Sequence, residues 1–176
     1  RFRRGSMLVP GETMLVLGAA SGVGTTAVEL AKQMGAQVIA AASTDAKLEV
    51  ARGIGADHLI NYATQDLRER IKEITGGKGV DVAYDPVGGD VFDLSLKCIA
   101  FGGNLHVIGF ASGRIPNCAM NRVMLKNISL VGLHWPAYQQ KDPGKVPEAM
   151  AALFEMYARN QLRVNVGARF PLERGI

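Results

Sequence analysis

The feature that most limits what this chain can become is the apolar run Met14-Leu15-Val16-Leu17. It breaks at Gly18-Ala19-Ala20-Ser21-Gly22-Val23-Gly24, and apolar residues then return at helical spacing at Ala27, Leu30, Ala31 and Met34. A strand with one wet face alternates, whereas one covered on both faces is continuously apolar, so a buried strand, a tight turn and a helix are expected in that order. Small residues let the backbone approach a ligand closely, while the new helix offers unpaired amides and the positive end of its dipole. That arrangement suits the pyrophosphate of a dinucleotide, with Ser21, Gly22, Val23 and Gly24 holding it. A strict G-x-G-x-x-G ending at Gly24 has glycine where this chain has Ala19 and Ser21. Taken alone, the turn therefore also fits an ordinary strand-to-helix connection.

The rest of the chain keeps the same rhythm. Residues 37–42 read as a second buried strand. Ser43, Thr44 or Asp45 can then cap a helix carrying Leu48, Ala51 and Ile54, with Gly55 as a left-handed stop. Residues 58–61 make a short third strand, a helix with Leu67, Ile71 and Ile74 follows, and residues 80–84 make a fourth strand. A helix around 91–99, a glycine turn at Gly102-Gly103 and a fifth strand at 105–108 come next. Residues 110–127 have no clean period and read as a long loop. A sixth strand is expected at 128–133 and a helix at 146–160, with Met150, Leu153, Phe154 and Tyr157 inward. Strands alternating with helices imply right-handed crossovers, a parallel sheet and helices on both faces. Six strands suit a doubly wound α/β Rossmann fold of order 3-2-1-4-5-6, with its ligand crevice at the carboxyl ends of strands one and four.

Size and charge narrow the function. At 176 residues and 48% hydrophobic, the chain is long enough for one well-buried domain. No apolar run approaches the roughly 20 residues that span a bilayer, and the basic start lacks an apolar signal core, so a cytoplasmic protein with no membrane partner is expected. The formal charge is +4, but Arg1, Arg3 and Arg4 supply three of those charges from residues 1–7, which read as an expression remnant ending in Gly5-Ser6-Met7. Without them no basic stripe with interleaved aromatics is left, which argues against nucleic acid. Cys98 and Cys118 are far apart and have no histidine at ligand spacing, so they read as buried or incidental thiols, and no metal site is expected.

The cofactor type is written at the end of the second strand. A domain preferring NAD places Asp or Glu there to bind the ribose hydroxyls. Here the strand ends Ala41-Ala42-Ser43-Thr44. Ser43 and Thr44 can donate to a 2′-phosphate and Lys47, in the next turn, can supply a cation, which favours NADPH. Asp45, as a helix cap, is expected to turn its carboxylate toward backbone amides. Tyr62, after the third strand, either lies partly buried at the strand end or reaches the nucleotide. Val87, Gly109 and Phe110 follow strands four and five and are expected to wall the nucleotide. Asp85, before Pro86, reads as a turn former. No nucleophile, acid or base constellation stands out, which fits chemistry carried by the cofactor, and no catalytic residue is assigned.

Four blocks together resemble the zinc-independent quinone oxidoreductases of the medium-chain dehydrogenase/reductase superfamily. They are Gly18-Ala19-Ala20-Ser21-Gly22-Val23-Gly24, Gly55-Ala56-Asp57-His58-Leu59-Ile60-Asn61-Tyr62, Val80-Asp81-Val82-Ala83-Tyr84-Asp85-Pro86-Val87-Gly88-Gly89 and Val107-Ile108-Gly109-Phe110-Ala111-Ser112-Gly113. The likeness spans residues 8–176, and alanine and serine in the first turn are the usual variant of that branch. It implies an NADP(H)-binding Rossmann domain with Ser43, Lys47 and Tyr62 around the 2′-phosphate. It also implies hydride transfer to a quinone or an α,β-unsaturated carbonyl, and a homodimer through the edge strand at 128–133, bounded by Ile128 and Leu133. Family enzymes carry an N-terminal catalytic domain that is absent here, so the chain is expected to bind NADPH while turning over slowly or not at all. Two alternatives stay open: an enoyl-thioester or enone reductase of the same superfamily, and a nucleotide-binding module without catalysis.

Overall fold

Alternate residues of a strand face opposite ways, so a strand apolar at every position must be covered twice, and the architecture provides both covers. A computed structural model describes residues 8–175; residues 1–7, read above as an expression remnant, lie outside the described residues. Six parallel strands, β1 (Thr13–Leu17), β2 (Gln37–Ala42), β3 (His58–Asn61), β4 (Val80–Asp85), β5 (Ile99–Val107) and β6 (Ser129–Gly132), form one sheet in the order β3-β2-β1-β4-β5-β6. This is the doubly wound α/β fold expected from the sequence. Met14, Val16, Val38 and Ala40 pack on one face against Ala27, Val28 and Ala31 of α1 (Gly22–Gln33) and Ala51 of α2 (Asp45–Gly53). Leu15, Leu17, Ile39 and Ile60 pack on the other against α3 (Leu67–Ile74), through Leu67 and Ile71, and α4 (Gly89–Cys98), through Phe92 and Leu96.

Three expectations are corrected. The Gly102-Gly103 pair does not end a turn before β5 but buckles the strand itself. β5 starts at Ile99, immediately after α4, and its register against β4 jumps from Val80↔Ile99 to Val82↔Asn104. Gly102 has φ +74°, and a Cβ on Gly103 would stand 2.8 Å from the Asp81 carbonyl oxygen, so glycine permits both the bulge and the close approach. Residues 110–127 are not all loop, because α5 (Met120–Lys126) forms and closes on Asn127 in the left-handed region at φ 51°. A further helix, α6 (Trp135–Lys141), precedes α7 (Lys145–Ala158).

The third correction concerns α7. Its helix lies where it was expected, but Phe154 and Tyr157 are 64% and 56% exposed, and Met150 is also exposed. They do not point into the sheet core. With Leu153, Phe154 and Tyr157 side an open cleft of about 360 Å³ whose other wall is Gly22, Thr25, Thr26 and Glu29 of α1. Helical periodicity identifies an apolar face without naming the surface it covers. No described helix is long and apolar enough to cross a membrane.

Candidate cofactor site

β1 and β4 lie side by side, yet the helices that follow them pack on opposite faces of the sheet. Their exits therefore diverge at the carboxyl edge, the topological switch point at which ligands of open α/β sheets bind. The first exit is a tight turn. Gly18 has φ +59° and its carbonyl accepts from Ser21 N at 2.9 Å. Ser21 then caps α1, its Oγ accepting from Gly24 N at 3.1 Å. The amides of Gly22 and Val23 begin the helix, where no preceding carbonyl is available to them. Both residues are exposed, and a Cβ on Gly22 would meet nothing within 4 Å.

The four residues expected to hold a pyrophosphate thus divide by role. Ser21, Gly22 and Val23 form the open lip. Gly24 is buried, its amide is already given to Ser21, and it sits so close to Gly18 that it serves the packing of helix on turn.

The β2 exit lies beside this lip. Thr44 is the cap of α2, its Oγ1 accepting from Lys47 N at 3.4 Å, while Lys47 Nζ stands 3.5 Å from Ser43 Oγ. Asp45 departs from expectation. Its carboxylate accepts from the Asn61 side-chain amide at 2.8 Å rather than from backbone amides, because Thr44 already occupies the cap. Tyr62 is half-buried against the core, and its N–H donates to the Ala42 carbonyl at 3.1 Å, which brings it to the same edge as Ser43. Ser43, Thr44, Lys47 and Tyr62 accordingly gather around the ends of β2 and β3.

Val87, Gly109 and Phe110 belong to two interlocked loops. Asp85 is 1% exposed, and its Oδ1 accepts from Val87 N and Gly88 N, both at 2.8 Å. Its carbonyl accepts from Ile108 N at 2.9 Å, and Ser112 N donates to the Val87 carbonyl at 2.9 Å. Val87 Cγ2 lies 3.1 Å from where a Gly18 Cβ would stand, so it rests on the first turn, while Phe110 covers Gly88. Arg114 ties the second loop to α4 through Asp90 at 2.9 Å and Asp93 at 2.7 Å. Sequence reasoning missed Gly18, Gly88 and Arg114 as organisers of the site. The positive φ of the two glycines leaves a trace in small-residue turns, whereas the Arg114 pairs span loop and helix and leave none.

Asp85 is the turn former its position before Pro86 suggests. Burial pushes its carboxyl above the ordinary aspartate value, against the two amide hydrogen bonds that favour ionisation. A group raised in the folded state gives stability that is complete below its unfolded pKa, about 3.9 for aspartate, and is lost as pH rises through the folded value. Asp85→Asn, which keeps the acceptor oxygen and removes the charge, is therefore expected to melt above the parent at pH 7. That advantage should vanish below about pH 4. Melting curves at the two pH values check this, and a lower midpoint at pH 7 contradicts it.

Among the described residues no three His, Cys, Asp or Glu side chains converge on a metal position. Burial pushes the Cys98 thiol up to about 11.

A family model described as zinc-binding dehydrogenase matches residues 22–155. The quinone oxidoreductase-like protein 2 homolog of Nematostella vectensis is 39% identical over 169 residues, covering 95% of this chain and 46% of that protein. Quinone oxidoreductase 1 of Escherichia coli is 35% identical over 176 residues, covering 98% and 53%. The crystal structure of Escherichia coli quinone oxidoreductase complexed with NADPH superposes with a TM-score of 0.82 at 35% identity, covering 90% of this chain and 49% of that one. That of a 2-haloacrylate reductase gives 0.84 at 35% identity, covering 90% and 50%. The chain spans about half the length of the curated relatives it matches. With its strand order, its capped small-residue turn and a match running from the first helix to the last long one, the chain belongs to the zinc-binding dehydrogenase family of the medium-chain dehydrogenase/reductase superfamily, with quinone oxidoreductases among its relatives.

Proposed function

We propose that this chain binds NADPH and serves an oxidoreductase that passes hydride to a quinone or to an alkene conjugated to a carbonyl. The observation that carries the reading is the pairing of two free-standing features on one edge. The open amides of Gly22 and Val23 lie beside a β2 exit that presents a hydroxyl and an ammonium 3.5 Å apart. The first suits a pyrophosphate and the second a 2′-phosphate. In this reading Gly22, Val23 and the dipole of α1 hold the pyrophosphate, with Ser21 fixing the turn. Ser43, Lys47 and Tyr62 surround the 2′-phosphate. Thr44 Oγ1, already accepting from Lys47 N, keeps its own proton to donate. Val87, Gly109 and Phe110 wall the nucleotide and exclude water. The bound cofactor supplies the hydride, and this chain orients it.

The NADPH-bound Escherichia coli relative supports the cofactor and the quinone. The 2-haloacrylate reductase and the CurK enoyl reductase, the latter with a TM-score of 0.81 at 28% identity, favour the activated alkene or enoyl thioester as the second reading. Initial rates with benzoquinone against a crotonyl thioester rank the two. β6 ends the sheet and its outer backbone edge is open to pairing, so a second copy joined there would continue the sheet. A cytoplasmic location goes with this reading.

Side-by-side fluorescence titrations with NADPH and NADH test the proposal. NADPH is expected to bind more tightly, and Lys47→Ala to weaken NADPH about tenfold, or 1.4 kcal/mol, while leaving NADH unchanged. Equal affinities in the parent would sink the phosphate pocket, and binding of neither would sink the cofactor site.

A further inference from the structure

We infer that Asn61 is a positioning residue for cofactor choice: it holds the Asp45 carboxylate on the Asn61 side chain of β3 and so restrains it from turning in to the groups at the β2 exit. The inference rests on the NADPH reading above. Asp45 stands between Ser43 and Lys47 in the chain, so it is the acid nearest in sequence to the groups assigned to the 2′-phosphate. A carboxylate free at that edge would repel a phosphate and accept from ribose hydroxyls, which is how an acid at the end of β2 selects NAD. In this structure the carboxylate is engaged elsewhere, with Oδ1 accepting from Asn61 Nδ2 at 2.8 Å.

The anchor is itself fixed. Asn61 is 6% exposed, its Oδ1 accepts from Ala63 N at 3.1 Å, and its backbone N–H donates to Gln65 Oε1 at 3.0 Å. With the side-chain oxygen accepting from Ala63 N, the amide nitrogen is turned toward Asp45. The register Ala42↔Asn61 at the last rung of the β2–β3 ladder brings the two elements together. The next residue, Tyr62, turns to the opposite face and packs on the core. The end of β3 thus delivers a proposed phosphate neighbour on one side and a restraint on the competing acid on the other.

Asn61→Ser tests this, because serine retains an acceptor for the Ala63 amide but cannot reach Asp45. The readout is the ratio of NADH to NADPH dissociation constants, measured by fluorescence titration. Asn61→Ser is expected to lower that ratio at least fivefold, and the double variant Asn61→Ser/Asp45→Ala to restore the parent value. Asp45→Ala alone should leave it unchanged. A purely structural contribution of Asn61 would weaken both cofactors together and would not be rescued by removing the acid. An unmoved ratio in the folded serine variant, or a lowered ratio without rescue, overturns the inference. Circular dichroism checks folding, and Asn61→Thr replaces the serine variant if that one does not fold. A parent ratio near one overturns the NADPH reading and this inference with it; a clear parent preference unaffected by Asn61→Ser overturns the inference alone.

Discussion

Gly24→Ala is expected to cost about 3 kcal/mol of folding stability, at the upper end of the range for forcing a methyl into packed space. A Cβ there would stand 2.2 Å from the Gly18 carbonyl oxygen and 2.9 Å from Ala19 Cα, both backbone atoms. Neither can yield cheaply. Gly18 is committed to φ +59° and its carbonyl to Ser21 N, while Ala19 is fully buried and donates its N–H to the Ala41 carbonyl at 3.3 Å. Alanine gains about 1 kcal/mol over glycine in helix propensity, but the clash opposes and exceeds that gain. Urea unfolding measures the sum: a markedly lower midpoint is expected, and one equal to the parent's shows that the turn relaxes around the methyl.

Gly22→Val should do the reverse, sparing the fold and abolishing the site. A Cβ at Gly22 meets no atom within 4 Å, and the residue is exposed at the first position of α1. Its backbone φ lies outside the left-handed region that would penalise a side chain. The melting temperature should move little, since valine and glycine differ by only a few tenths of a kcal/mol in helix propensity. The isopropyl group would occupy the space over the amides of Gly22 and Val23 where the pyrophosphate is proposed to sit. NADPH affinity is expected to fall at least about 100-fold, or 2.7 kcal/mol. Retention of affinity within threefold would place the pyrophosphate elsewhere. Two glycines two residues apart thus separate the requirements of folding from those of binding.

The part of the molecule from β1 through β2 was legible because each local preference agrees with the tertiary arrangement: continuous apolar strands, helical spacing in α1, glycine where the chain turns. Agreement fails where one signal has two structural meanings. Gly102-Gly103 reads as a turn, yet its pairing with β4 makes it a bulge inside β5. The short α6 has no expectation behind it, and Pro136 sits in its first turn, where the missing N–H costs nothing. Ser21 to Gly24 were legible as a tight turn opening a helix because they are consecutive. The Asn61–Asp45 bond joins residues 16 apart and depends on the β2–β3 register, and the Arg114 pairs cross 24 and 21 residues. Contacts made between elements carry no local pattern to read.

The exits of β4 and β5 are stitched together by Ile108 N and Gly109 N to Asp85 O, Ala111 N to Pro86 O, Ser112 N to Val87 O and Gly89 N to Arg114 O. For protein engineering this makes residues 85–89 and 108–114 one transplantable cassette. A designer who replaces either segment alone with a loop of different conformation would disturb five backbone hydrogen bonds at once, so a change to one loop has to be made together with the other.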